Sequence, residues 1–168
     1  MCLPGPALLH CPSPRRSTLK NLFDASALDE ITARLGALRP GTGAQWGTMK
    51  VGQMLAHCSI GVETALGDVR PPRTLIGRVL GPIVKPLALG NDAPMRQNSP
   101  TSPVMRIHDE RDLDAERVRL RGLIQRFAAA GPRGCTTYPH AFFGRLTPAE
   151  WGVLMYKHLD HHLRQFGA

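Results

Sequence analysis

His158 and His162 lie four residues apart near the C-terminal end, a spacing that sets two imidazoles one above the other on one helix face. On a wheel with Trp151 at the origin and about 100° per residue, Met155, His158, His162 and Phe166 fall within roughly 60° of it. His161 points about 80° away, beside Leu154, and Asp160 points to the far side. His158 and His162 therefore share the stripe that must face a core. Imidazole suits zinc, nickel or iron, and an i, i+4 pair can give two ligands to one ion. The ordinary alternative is a pair of core or surface histidines, each satisfied by a hydrogen-bond partner.

A third ligand would distinguish these readings. His57 borders the apolar face of an earlier helix, beside Met54 and Gly61, and Gly61 leaves space for a metal or a neighbouring side chain. By its position alone His57 reads more readily as a structural histidine. His140 precedes Phe142, Phe143 and Gly144 in a loop at one end of the bundle, where it could reach a ligand pocket as an outer ligand or acid-base group. It could also cap a backbone group. His10 and His108 have no supporting context.

The elements that must position these side chains are helical. A first helix is predicted from about Ser26 to Leu38, capped by Asp24 or Ser26, with Leu28, Ile31, Leu35 and Leu38 on one face. A second runs from a Thr48 cap to Leu66 with Val51, Met54, Leu55, Cys58, Val62, Ala65 and Leu66 facing inward, and Gly67, Asp68, Pro71 and Pro72 stop it. The segment from Leu75 to Leu89 is apolar on most sides, as an interior helix would be, and Pro82 and Pro86 should kink or divide it. Between Gly90 and Asp109 the chain is rich in Pro, Asn, Ser and Thr, a long connection that reads as a functional rim or a mobile loop. Strand-like alternation is confined to Val104 to Ile107. A fourth helix is predicted from about Asp112 to Ala130 and a last one from Thr147 to about Phe166. Thr147, Pro148 and Glu150 supply the cap, the first-turn proline and the capping box of that last helix. The pattern is that of an all-α bundle.

The 168 residues, 42% hydrophobic and 20% charged, fit one globular domain. No apolar run approaches the roughly 20 residues that span a bilayer. The N-terminal sequence lacks the basic start and continuous apolar stretch of a secretory signal. Residues 1–18, with Pro12, Pro14, Arg15 and Arg16, read as a flexible arm, leaving a domain over residues 19–168. The four cysteines, Cys2, Cys11, Cys58 and Cys135, form no CxxC pair. A reducing, cytoplasmic setting is expected. Cys58 lies in an apolar helical pattern and reads as a small buried hydrophobe, against the alternative of a reactive thiol. The net charge of +8 raises nucleic acid as a partner. The basic residues are dispersed and lack interleaved aromatics, which favours a solvated basic surface.

Several segments carry a family resemblance: KNLFD, QWGTMKVGQMLAHC ending at Cys58, PTSP at Pro100 to Pro103, HAFFGRLTPAEWG, and the closing MYKHLDHHLRQFG. Together they cover most of residues 20–167. The chain resembles the DinB-like and YfiT-like superfamily of four-helix-bundle metalloproteins, in one of its branches of unknown function. The resemblance implies an up-down-down-up four-helix bundle with short extra helical or loop segments. It also implies a divalent metal, zinc or nickel, held in a pocket open to water by one histidine of the second helix and two of the last. Those positions match His57, His158 and His162. Residues 1–18 have no counterpart in the family pattern.

Three neutral histidines leave coordination positions open, where a metal lowers the pKa of bound water or thiol. Some relatives in the superfamily are thiol-dependent S-transferases and others resemble metal-dependent hydrolases. The resemblance therefore implies a small-molecule substrate and a low-molecular-weight thiol as co-substrate, in stress or detoxification chemistry. Asp160 or Gln165 would orient histidines from behind. A homodimer is compatible with such a bundle, and no membrane partner is expected. The competing class is a non-catalytic helical bundle that binds a partner or serves in a stress response.

Overall fold

The computed structural model describes residues 19–168. The arm expected over residues 1–18, with Cys2, His10 and Cys11, lies outside them. The described residues hold five α-helices and no strand: α1 (Ala25–Ala37), α2 (Val51–Leu66), α3 (Leu75–Leu89), α4 (Leu113–Ala130) and α5 (Pro148–Gln165). Short 3-10 turns occupy Pro103–Met105 and Pro132–Gly134. The first of these stands where alternation suggested a strand.

Helix starts follow local chemistry. Thr147 accepts from the Glu150 N–H at 3.2 Å and Glu150 accepts from the Thr147 N–H at 2.7 Å, which completes the expected capping box of α5. Asp112 accepts from the Ala115 N–H at 2.8 Å. At α1 the Asp24 side chain makes no cap; Asn21 shapes the turn instead, accepting from the Phe23 N–H at 3.0 Å. The expected Thr48 cap is displaced to Lys50, because Gln53 reaches back to accept the Lys50 N–H at 2.9 Å. Gly67 ends α2 in the left-handed conformation, φ +87°, which a side chain rarely adopts.

Helices α2 and α1 each pack against both α4 and α5. Ile31, Leu35, Leu55, Val62, Leu120, Ile124, Phe127 and Trp151 meet in the resulting core and are essentially inaccessible. Each such side chain contributes roughly 1.5–3 kcal/mol through burial. Asp160 joins the first and last helices, accepting from Arg34 at 2.7 Å and Arg164 at 2.8 Å.

The third helix departs from expectation. It runs unbroken through Pro82 and Pro86 and lies on the outside, touching α5. Leu75, Ile76, Val79, Ile83 and Leu87 are exposed, and only Gly77, Gly81 and Leu89 are buried. The two glycines explain the packing: a Cβ on Gly77 would lie 2.6 Å from Phe142 Cα, and one on Gly81 would run into the Phe142 carbonyl oxygen. The helix thus docks through a bare backbone edge and turns its large side chains outward.

Candidate metal centre

His57, His158 and His162 converge from α2 and α5. One ring nitrogen from each lies within 4.8 Å of the others. His57 Nε2 stands 2.9 Å from His158 Nε2. The ring centroids are 5.0 Å apart for His57 and His158, 4.6 Å for His57 and His162, and 4.8 Å for His158 and His162. His57 and His162 are buried, and His158 is largely enclosed with a partly exposed remainder.

Each ring is held by what stands behind it. His57 Nδ1 lies 2.9 Å from the Met105 carbonyl oxygen. A carbonyl can only accept, so Nδ1 carries the proton and Nε2 keeps its lone pair. His162 Nδ1 lies 2.8 Å from Gln165 Oε1, and the Gln165 amide nitrogen donates to the Trp46 carbonyl at 2.7 Å. The second bond fixes the amide's orientation, so His162 donates from Nδ1 and also presents Nε2. His158 packs on Gly61, where a Cβ would lie 2.8 Å from its Nδ1 and 2.9 Å from its Cε1. The space expected beside Gly61 is taken by this ring.

All three imidazoles are held neutral. Burial is the leading cause each time: it lowers His57, drives His158 well below its ordinary value with help from the neighbouring histidines, and lowers His162 to about 3. No carboxylate joins the group among the described residues. Asp160 is committed to Arg34 and Arg164 and does not orient a histidine, whereas Gln165 does. The residues fit a divalent ion: three neutral nitrogen donors from two rigid helices, two backed by acceptors that set the tautomer.

His140 is not one of the converging group. Its Nδ1 accepts from the Phe142 N–H at 3.2 Å and the Phe143 N–H at 3.1 Å, so it caps its own turn. Its ring stacks on Phe143 and meets Trp151 edge-on. Burial, reinforced by the Arg73 charge, lowers it to about 4. His161 flanks the group without joining it: its ring meets His162 edge-on, with centroids 4.9 Å apart, and packs against Trp46 and the Met95 backbone. Cys58 is buried and its thiol is pushed far up by desolvation, while Cys135 is raised to about 11. Neither supplies a thiolate at neutral pH.

Sequence reasoning missed two supports, the Met105 and Trp46 carbonyls. Both are backbone groups on loops, and no side-chain pattern marks them. The loop after α3, expected as a functional rim or a mobile loop, reaches the site through the Met105 carbonyl.

No curated protein and no solved structure matches the chain. A family model described as Protein of unknown function (DUF1569) matches residues 17–168, nearly the whole sequence, and the chain belongs to that family.

Proposed function

We propose that this protein is a metalloprotein of the DinB-like kind, an up-down-down-up four-helix bundle formed as one domain over residues 19–168. His57, His158 and His162 would hold one divalent ion, zinc or nickel. The observation that carries the reading is the convergence of three imidazoles, two buried and one largely enclosed, with no carboxylate joining them among the described residues. Burying three polar rings together is costly unless their inward nitrogens are satisfied. The Nε2 atoms of His57 and His158, 2.9 Å apart, can share one proton between them, whereas a single ion would engage all three rings.

Bound there, the ion would supply a lowered pKa to a coordinated water or thiol. The chain's own residues do the positioning. Met105 and Gln165 hold two rings with their lone pairs inward, and Gly61 admits the third. Because Cys58 and Cys135, the cysteines among the described residues, are held as neutral thiols, a transfer reaction would draw its sulfur from a low-molecular-weight thiol. This favours thiol-dependent S-transfer to a small electrophile over chemistry on a protein cysteine. His140 would act from the edge of the site. With Nδ1 occupied as an acceptor, it offers an Nε2–H donor and not a base. A cytoplasmic setting suits the dependence on a reduced thiol.

Elemental analysis of untagged protein tests the reading. About one zinc or nickel per chain is expected in wild type, with most of it lost in His158→Ala. Wild-type protein without stoichiometric metal, and without a thermal shift on adding zinc or nickel, would leave only the non-catalytic bundle.

A further inference from the structure

The outward face of α3 is an apolar surface that the metal centre leaves unused. Its large side chains range from 41% exposed at Leu80 to 80% at Leu75, with Ile76, Val79, Ile83 and Leu87 between. At about 100° per residue these six, with Pro82 and Pro86, fill a continuous arc of roughly 160° that holds no polar side chain. Scattered exposed hydrophobics are ordinary, but a contiguous apolar strip marks a contact surface.

The charges that the chain itself carries from Val69 to Asn91 are of one sign, and Glu150 neutralises one of them from α5. No Asp or Glu occurs between Asp68 and Asp92, whereas Arg70, Arg73, Arg78 and Lys85 do. Lys85 is paired with Glu150 at 2.8 Å and also donates to the Arg145 carbonyl, which places exposed Arg145 on the same flank. Arg78 borders the arc and Arg70 precedes the helix; both are exposed.

These facts discriminate among occupants. A second copy packed antiparallel would bring the two Arg78 flanks together, and a parallel copy would bring together the two Arg70 ends. The strip is about 22 Å by 10–12 Å, a few hundred Å², and falls short of the about 800 Å² that each partner gives a standard interface. An arc without hydrogen-bonding side chains leaves a protein partner only shape, and no polar pairing, to fix its register. A lipid surface needs no register. Apolar side chains entering the headgroup boundary beside cations that meet phosphates is the recipe for interfacial binding. No described helix is long and apolar enough to cross a membrane, so attachment would be peripheral.

We propose that the α3 face docks on membranes rich in anionic lipid, with Leu75, Val79, Ile83 and their neighbours in the acyl–headgroup boundary and Arg70, Arg78 and Arg145 against the phosphates. The attachment is independent of the metal centre and would bring that centre to a surface where apolar small molecules concentrate.

Co-sedimentation of the full chain with phosphatidylcholine vesicles, with and without phosphatidylglycerol, tests this. Binding to the anionic vesicles is expected, weakened by salt. Val79→Gln/Ile83→Gln should weaken it at least about tenfold, because two anchoring side chains are removed without a change of charge. Val118→Gln, at an exposed position on α4, should bind as wild type does. Circular dichroism verifies that each variant keeps its helices, which the exposure of these positions should ensure. Absence of binding, or equal binding by the α3 variant, would overturn the proposal. So would a dimer that the α3 variant dissolves without any vesicle binding, which would give the face to a second copy.

Discussion

The His158 ring lies against the bare backbone of Gly61, so closely that a Cβ there would stand 2.8 Å from Nδ1. Gly61→Ala sets two effects against each other. Alanine favours the helix by about 0.8–1 kcal/mol, while the clash falls on the far end of a side chain that can rotate away. Stability should stay within about 1 kcal/mol of wild type, but the displaced ring should weaken zinc binding at least about tenfold. Chelator competition beside urea unfolding measures both, and undiminished zinc affinity would mean that His158 is not a ligand in this rotamer.

Gln165 offers a complementary test. Gln165→Leu preserves bulk but strands the His162 Nδ1–H and the Trp46 carbonyl. Losing the group behind a metal-bound histidine typically costs about 10–100-fold in affinity, and an unsatisfied buried polar group costs about 1–3 kcal/mol of stability. Both losses are expected here. Gln165→Glu should recover part of the affinity, since a carboxylate still accepts from His162, though it cannot donate to Trp46.

His140 carries a pH signature separable from the metal. Its folded value is about 4, below the ordinary 6.5, because burial and the Arg73 charge disfavour the cation. The unfolded chain therefore binds the proton more readily. The stability this neutral ring provides is fully present above about pH 6.5 and is lost as pH falls towards 4. His140→Asn, whose side-chain oxygen can still accept the two backbone N–H groups, should flatten that part of the curve. Urea midpoints of both proteins between pH 7 and about 4 decide it; parallel curves would remove His140 as a source.

How far the sequence anticipates this structure depends on which atoms carry the information. The α5 start was readable because Thr147, Pro148 and Glu150 act through side chains at fixed offsets. The shared face of His158 and His162 followed from helix periodicity. His57 was different: its border position left it undecided, and only the family resemblance paired it with α5. The α3 expectation failed because an apolar helix was assumed to need burial on its apolar side. Gly77 and Gly81, four residues apart, held the contrary signal, since a glycine edge can dock a helix while its large side chains face away.

Lys157 gives one more consequence. Its ammonium donates to the Ala88 carbonyl at 2.6 Å and the Asn91 carbonyl at 2.9 Å, gripping the negative end of α3. The next residue along α5 is His158. Displacing the Gly90 end of the outer helix must either break those two bonds or drag Lys157 with it, and the adjoining peptide bears a histidine of the pocket. Lys157 thus fastens the Gly90 end of α3 to α5, the helix that also carries His158 and His162.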